Sequence, residues 1–281
     1  MHFLNVGCGY RHCKDNLWTN LDLQSPDKAV LQWDITQGIP FQDGQFDAVY
    51  HSHLFEHLSR TDGMRFIEEC FRVLRPGGVL RVVVPDLEEI CQSYLHILQR
   101  ARSGDSLSQR RYCWIMLEMY DQAVRTESGG TMAEYLGKEG IQDKEFIISR
   151  IGSVGRDLLS KSTNTRARYA GTSEPRSVLK RCAAMLMGTS PTLREAMISR
   201  ALGKEDRKAL KIGRFVLGGE LHKWMYDSYS LGLVLAQAGF NDVQRCSPTQ
   251  SNIPGWSKYF LDVDPDGFIH SPCSLYMEGI K

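Results

Sequence analysis

The apolar run FLNV (3–6) closes on Gly7-Cys8-Gly9, the pattern of a buried strand entering a tight turn. The chain then repeats the design. LWTNLDL (17–23) alternates and ends in an acid, AVLQWDI (29–35) is a third strand ending in Asp34, and FDAVYHS (46–52) is a fourth. GMRFIEECFRVLRPGG (63–78) sets Met64, Ile67, Cys70, Phe71 and Leu74 at helical spacing, with Pro-Gly-Gly as its stop. VLRVVVP (79–85) reads as a buried strand. Strands alternating with helices or short connectors predict a parallel sheet in an α/β fold.

From about Asp86 to Glu220 the pattern changes. LEEICQSYLHILQRA, YCWIMLEMYDQAV, RSVLKRCAAMLM and LREAMISRAL are helical and polar, and SKSTNTRARYAGTSEP between them reads as loop. Between Arg100 and Glu220 there are 22 basic against 14 acidic residues, whereas the whole chain carries a net charge of only +1. A basic segment set in a mildly acidic chain points to an insertion. The α/β pattern resumes with helix SYSLGLVLAQAGF (228–240), strand NDVQRCS (241–247) and a last strand, SLYMEGIK (274–281). No internal repeat is visible.

Length and composition set bounds on this reading. A chain of 281 residues, 42% hydrophobic and 24% charged, supports one large domain with an insertion rather than a disordered polymer. MHFLNVGCGY has no basic n-region or long apolar h-region, so no secretory signal is expected. The apolar runs fall short of a membrane span. Eight cysteines without a C-x-x-C pair argue against a disulfide framework or zinc knuckle, and reduced thiols in the cytoplasm are expected. The near-zero net charge and the lack of interleaved aromatics disfavour nucleic acid.

Ligands of an open α/β sheet bind outside the carboxyl ends of its strands. Gly7-x-Gly9 lies there, where missing side chains allow close backbone approach. Asp22 ends the second strand, where a carboxylate can accept both ribose hydroxyls, and Asp34 could accept from an adenine amino group. The G-x-G-x-x-G fingerprint fails at His12, and no G-x-x-x-x-G-K-[ST] loop is present. What remains favours a nucleoside ligand without a pyrophosphate.

LNVGCG, the acid of NLDL, WDITQGIPFQDGQFDAVYHSHLFEHL and FRVLRPGGVLRVVVPD together resemble the class I S-adenosylmethionine-dependent methyltransferases. The resemblance covers roughly 1–90 and resumes over 218–281. There GELHKWMYDSYSLGLVLAQAGF is similar to bacterial members often associated with cell-surface polysaccharide or natural-product pathways. It implies a Rossmann-like, seven-stranded, mostly parallel doubly wound sheet, with a large helical insertion between strands 5 and 6. The implied division is a cofactor-binding core (1–90 and 218–281) and a substrate lid (91–217). S-adenosyl-L-methionine is the implied cofactor, held by Gly7, Cys8, Gly9, Asp22, Leu23, Asp34, Ile35 and His51. Two departures stand out: Asn5 replaces the usual acid, and Arg11 the third glycine. Twelve residues between Gly9 and Asp22 leave room for only a short first helix.

His53-x-x-Glu56-His57 also spells the H-x-x-E-H pattern of inverted zinc peptidases. That chemistry needs both histidines on one continuous helix, whereas the resemblance puts this stretch at the end of the fourth strand. There it implies that His53 faces the transferable methyl, where an imidazole can act as base toward a hydroxyl. Glu56 and His57 are expected to cap and pack the following helix. Whether they hold a metal stays open, and no metal is assigned. In GELHKWMYD, His222 is a second candidate base, Trp224 and Tyr226 wall the acceptor site or anchor the insertion, and Asp227 reads as an N-cap. The expected function is methyl transfer to a small molecule, neutral or anionic, with oxygen the favoured atom. An amine or peptide acceptor, a silent cofactor-binding protein and a metal hydrolase are the alternatives.

Overall fold

The computed structural model describes residues 1–160 and 200–281. Seven strands form one mixed sheet: β1 (Phe3–Val6), β2 (Trp18–Asp22), β3 (Val30–Gln32), β4 (Phe46–Ser52), β5 (Leu74–Pro85), β6 (Asn241–Arg245) and β7 (Ser274–Ile280). Their spatial order is β3-β2-β1-β4-β5-β7-β6. The pairs β1–β2, β2–β3, β1–β4 and β4–β5 are parallel, while β7 runs antiparallel to both β5 and β6. All of β1 is buried, as are Val79–Val84 of β5, as expected of central strands covered on both faces.

The two faces are covered differently. Helix α1 (Arg60–Val73) starts at Ser59, whose hydroxyl accepts from the Asp62 amide, and buries Phe66, Ile67, Cys70 and Val73 at helical spacing. With α7 (Ser228–Gln237), capped by Asp227 in a reciprocal box with Ser230, it covers one side of the sheet. The N-cap reading of Asp227 therefore holds, whereas Ser59 caps α1 and Glu56 and His57 do not.

The expected first helix between β1 and β2 is absent, so helices do not wind both sides of this half of the sheet. Phe3, Trp18, Tyr50 and Tyr276 pack instead against Ile253, Trp256, Tyr259 and Leu261 from the connection between β6 and β7. Arg81 secures that connection from inside the sheet. Its guanidinium donates to Asp262, Glu278 and the carbonyls of Ser247 and Gln250, at 2.8–3.0 Å.

Between β5 and β6 run α2 (Leu87–Arg102), α3 (Ser106–Val124), α4 (Gly130–Gly137), α5 (Lys144–Ser160) and α6 (Lys204–Leu217), followed by α7. Helices α2 to α5 bury apolar clusters of their own, one around Ile90, Ile97 and Ile115 and another around Trp114, Leu136 and Ile147. Helix α5 is broken at Gly152 (φ 59°), where an added Cβ would lie 2.0 Å from the His270 carbonyl oxygen. Only glycine fits there, and the contact seats the helix on the connection between β6 and β7. The expected helix RSVLKRCAAMLM and nearly all of LREAMISRAL and of the loop before them lie outside the described residues.

Candidate active site

Parallel pairing aligns the carboxyl ends of β1, β4 and β5, with Val6 opposite His51 and His51 opposite Val82. Chain direction diverges between β1 and β4, which makes their ends a switch point where α/β sheets take ligands. A cavity of about 530 Å³ opens there, within the usual range of small-molecule sites. Gly7, Cys8, Gly9, Ser52 and His53 form the sheet side, and Glu118, Gln122, Met132, Arg150 and His222 the other.

The glycine turn adopts the left-handed conformations it was chosen for, with φ 65° at Gly7 and 53° at Gly9. A Cβ at Gly9 would meet nothing within 4 Å, whereas one at Gly7 would run into Leu54. Asp22 accepts from the Gly9 amide at 2.8 Å and from Gln24 at 3.0 Å, joining the end of β2 to the turn. The turn is held from behind by an asparagine pair. Asn5 donates to the Asn20 side chain, which also exchanges two hydrogen bonds with the Cys13 backbone. Asn5, read from sequence as a departure, is thus buried turn architecture that also lines the cavity.

Asp34 lies just beyond β3 and caps a short helical turn, its Oδ1 accepting from the Thr36 amide and hydroxyl. The Thr36 hydroxyl, first, and its amide hold that carboxyl below the ordinary aspartate range. Leu23 is exposed, and Ile35 packs against the core. Neither Asp22, Leu23, Asp34 nor Ile35 lines the cavity, although Asp22 reaches its wall through Gly9.

His51 does not belong with the expected cofactor residues. Side chains alternate along a strand, so Tyr50 and Ser52 line the cavity while His51 points the other way. It is fully buried against Phe66 and Phe55, with no partner for either ring nitrogen. Burial pushes this imidazole down to about 3.

The two candidate bases do meet the cavity. His53 follows β4 in a left-handed conformation (φ 50°), its amide bonded to the Val83 carbonyl. Its Nε2 lies 3.1 Å from Ser274 Oγ, and its Nδ1 lies 3.2 Å from Glu56 Oε1. His222 is buried, with Nε2 3.0 Å from the Gln122 amide nitrogen and 4.0 Å from Glu56 Oε1. The Lys223 and Trp224 amides donate to the Glu56 carbonyl, which clips this segment to the loop after β4. Burial pushes His222 down to about 3 against the pull of Glu56. Burial pushes the Glu56 carboxyl up, but His53, then His222 and His57, outweigh it and hold it down at about 2.

Trp224 and Tyr226 do not wall the cavity. Trp224 is 43% exposed beneath the Arg60 guanidinium, whose carbon is 4.9 Å from the ring centre. Tyr226 is core, stacked on Phe55 at 4.6 Å and bridged to Asp86, so it anchors the segment instead. Met225, between them, faces the cavity.

Sequence reasoning also missed Glu118, Gln122 and Arg150. Trp114, Glu118 and Gln122 recur every four residues along α3, a helical stripe on which polar groups sit where apolar ones are expected. Arg150 ties α5 to that stripe, donating to Glu118 at 2.6 Å and to Glu89.

A family model described as a methyltransferase domain matches residues 4–82. A probable S-adenosylmethionine-dependent methyltransferase of Mycolicibacterium smegmatis is 46% identical over 48 residues, 17% of this chain and 18% of that protein. This chain therefore matches well under two thirds of that relative's length. A SAM-dependent methyltransferase of Archaeoglobus fulgidus is similar over all of this chain and 86% of its own, at 12% identity and a TM-score of 0.39. One from Aquifex aeolicus is 22% identical over 31% of this chain and 57% of its own, with a TM-score of 0.25.

Proposed function

We propose that this chain is an S-adenosylmethionine-dependent methyltransferase acting on a small-molecule acceptor. One observation carries the reading. The glycine turn, tied to the acid ending β2, forms one wall of the cavity that His53 and His222 line. Gly7, Cys8 and Gly9 offer backbone to the cofactor, Asp22 keeps acceptor capacity for ribose hydroxyls, and Asp34 with Leu23 and Ile35 flanks the adenine side. S-adenosylmethionine, when bound, supplies the transferable methyl and a neutral thioether leaving group. His53 stands where it can take the proton of an acceptor hydroxyl, oriented by Glu56 and Ser274. His222 is the weaker base, since burial keeps it unprotonated at neutral pH but also weakly basic.

Residues 1–90 and 218–281 make the cofactor-binding core in this proposal, and 91–217 a helical lid that supplies the acceptor side of the cavity. Holding acceptor and methyl in line, away from water, provides much of the acceleration. Oxygen remains the favoured atom, on a natural-product or saccharide intermediate. An anionic acceptor would meet Arg150 paired with Glu118, and Arg125 paired with Glu220. The test is incubation with trideuteromethyl-labelled cofactor and a small-molecule extract, read by mass spectrometry. A labelled product that depends on His53 is expected. Cofactor binding with no label in any product would point to a silent binding protein.

A further inference from the structure

We infer that Glu56, His57 and His222 form a binding site for one divalent transition-metal ion, with zinc the best fit. One ligand atom from each lies within 4.8 Å of the others. The first two sit on the short helical turn after β4, and the third arrives from the far side of the helical segment. Two imidazoles and one carboxylate form a donor set suited to zinc and its neighbours, and poorly suited to magnesium or calcium.

Three features show that the cluster is built rather than coincidental. Glu56 is fully buried: its Oε1 meets His53 Nδ1 at 3.2 Å, while its Oε2 has no partner. A buried acceptor without a partner is costly, and an ion would satisfy it. His57 directs Nδ1 at the Leu221 carbonyl, 3.3 Å away, which puts the proton on Nδ1 and leaves the Nε2 lone pair for a ligand. A backbone carbonyl behind a metal-binding imidazole is the usual outer support. At His222, Nε2 accepts from the Gln122 amide at 3.0 Å, a hydrogen bond that an ion would have to replace. His53, beside Glu56, would be the outer partner of the ligating carboxylate.

Such an ion would bind the segment around residue 222 to the loop after β4, next to the cavity His222 lines. A tetrahedral ion with three protein ligands keeps one position for water or for an acceptor oxygen. Metal binding at this site is independent of methyl transfer and is read directly as binding.

The experiment is titration of metal-stripped full-length protein with cobalt(II), followed by d–d absorption and by thermal midpoint, then displacement by zinc. Wild type should take up one equivalent, show a four- or five-coordinate spectrum and gain thermal stability. His57→Ala and the near-isosteric Glu56→Gln should each weaken binding at least about tenfold, while the exposed-surface change His96→Ala should leave it intact. If metal-stripped wild type takes up no stoichiometric cobalt, or if binding survives both ligand changes, the site does not exist. The wild-type spectrum decides the matter even where a variant fails to fold.

Discussion

Nε2 of His53 lies 3.1 Å from Oγ of Ser274, 221 positions further along the chain. The pairing of Pro85 with Ser274 brings the start of β7 to the end of β4, so the last strand helps orient the proposed base. His53→Asn should leave cofactor binding intact and slow single-turnover methyl transfer by at least about a hundredfold, within the range for a lost general base. Ser274→Ala, which removes only an orienting contact, should cost less. If both variants transfer at the wild-type rate, His53 is no base and alignment alone supports turnover.

Arg81 carries a different consequence. Its side chain is fully buried, and removing it strands Asp262 and Glu278 as uncompensated charges. Arg81→Met should destabilise the fold by about 3–5 kcal/mol. It should also loosen the aromatic connection over Trp18 and Tyr50. Urea unfolding measures the first effect, and limited proteolysis within 246–273 the second. A loss under about 1 kcal/mol would show that the loop is held by its aromatic packing.

Acid sensitivity follows from His51. Burial lowers this imidazole to about 3 in the folded chain, against about 6.5 unfolded. The unfolded state therefore binds more protons between those values, and stability falls as pH drops through that window. The slope from this one group is about 1.4 kcal/mol per pH unit. His51→Leu removes both the titration and two unpartnered ring nitrogens. It should flatten the stability profile between about pH 6 and pH 4 relative to wild type. An unchanged slope in chemical denaturation across that range would contradict the assignment.

The sheet was legible because its strands are short apolar runs punctuated by glycine, proline and acids. The strand order puts Gly7, Asp22 and His53 at one edge, as their positions at strand ends suggest. His51 was misread because the resemblance grouped it with the cofactor residues, whereas strand parity turns it under α1. Tyr226 looked like a site residue because aromatic and polar groups crowd its segment, but stacking on Phe55 claims it. The meeting of His222 with Glu56 and His57 depends on how α2 to α6 return the chain to the sheet, and no local spacing encodes that return. Helices α4 and α5 escaped notice for a related reason. Each contains glycine, and α5 is interrupted at Gly152 to fit against His270.

The most direct test is calorimetric titration of the full-length chain with S-adenosylmethionine, alongside Asp22→Ala. The carboxylate braces the Gly9 amide and keeps acceptor positions for the ribose, and hydrogen bonds to a charged group contribute about 1.5–3 kcal/mol each. Wild type should bind at one saturable site, and the folded variant at least about tenfold more weakly, a difference of about 1.4 kcal/mol. Absence of binding by wild type, or wild-type affinity in Asp22→Ala, would contradict the account.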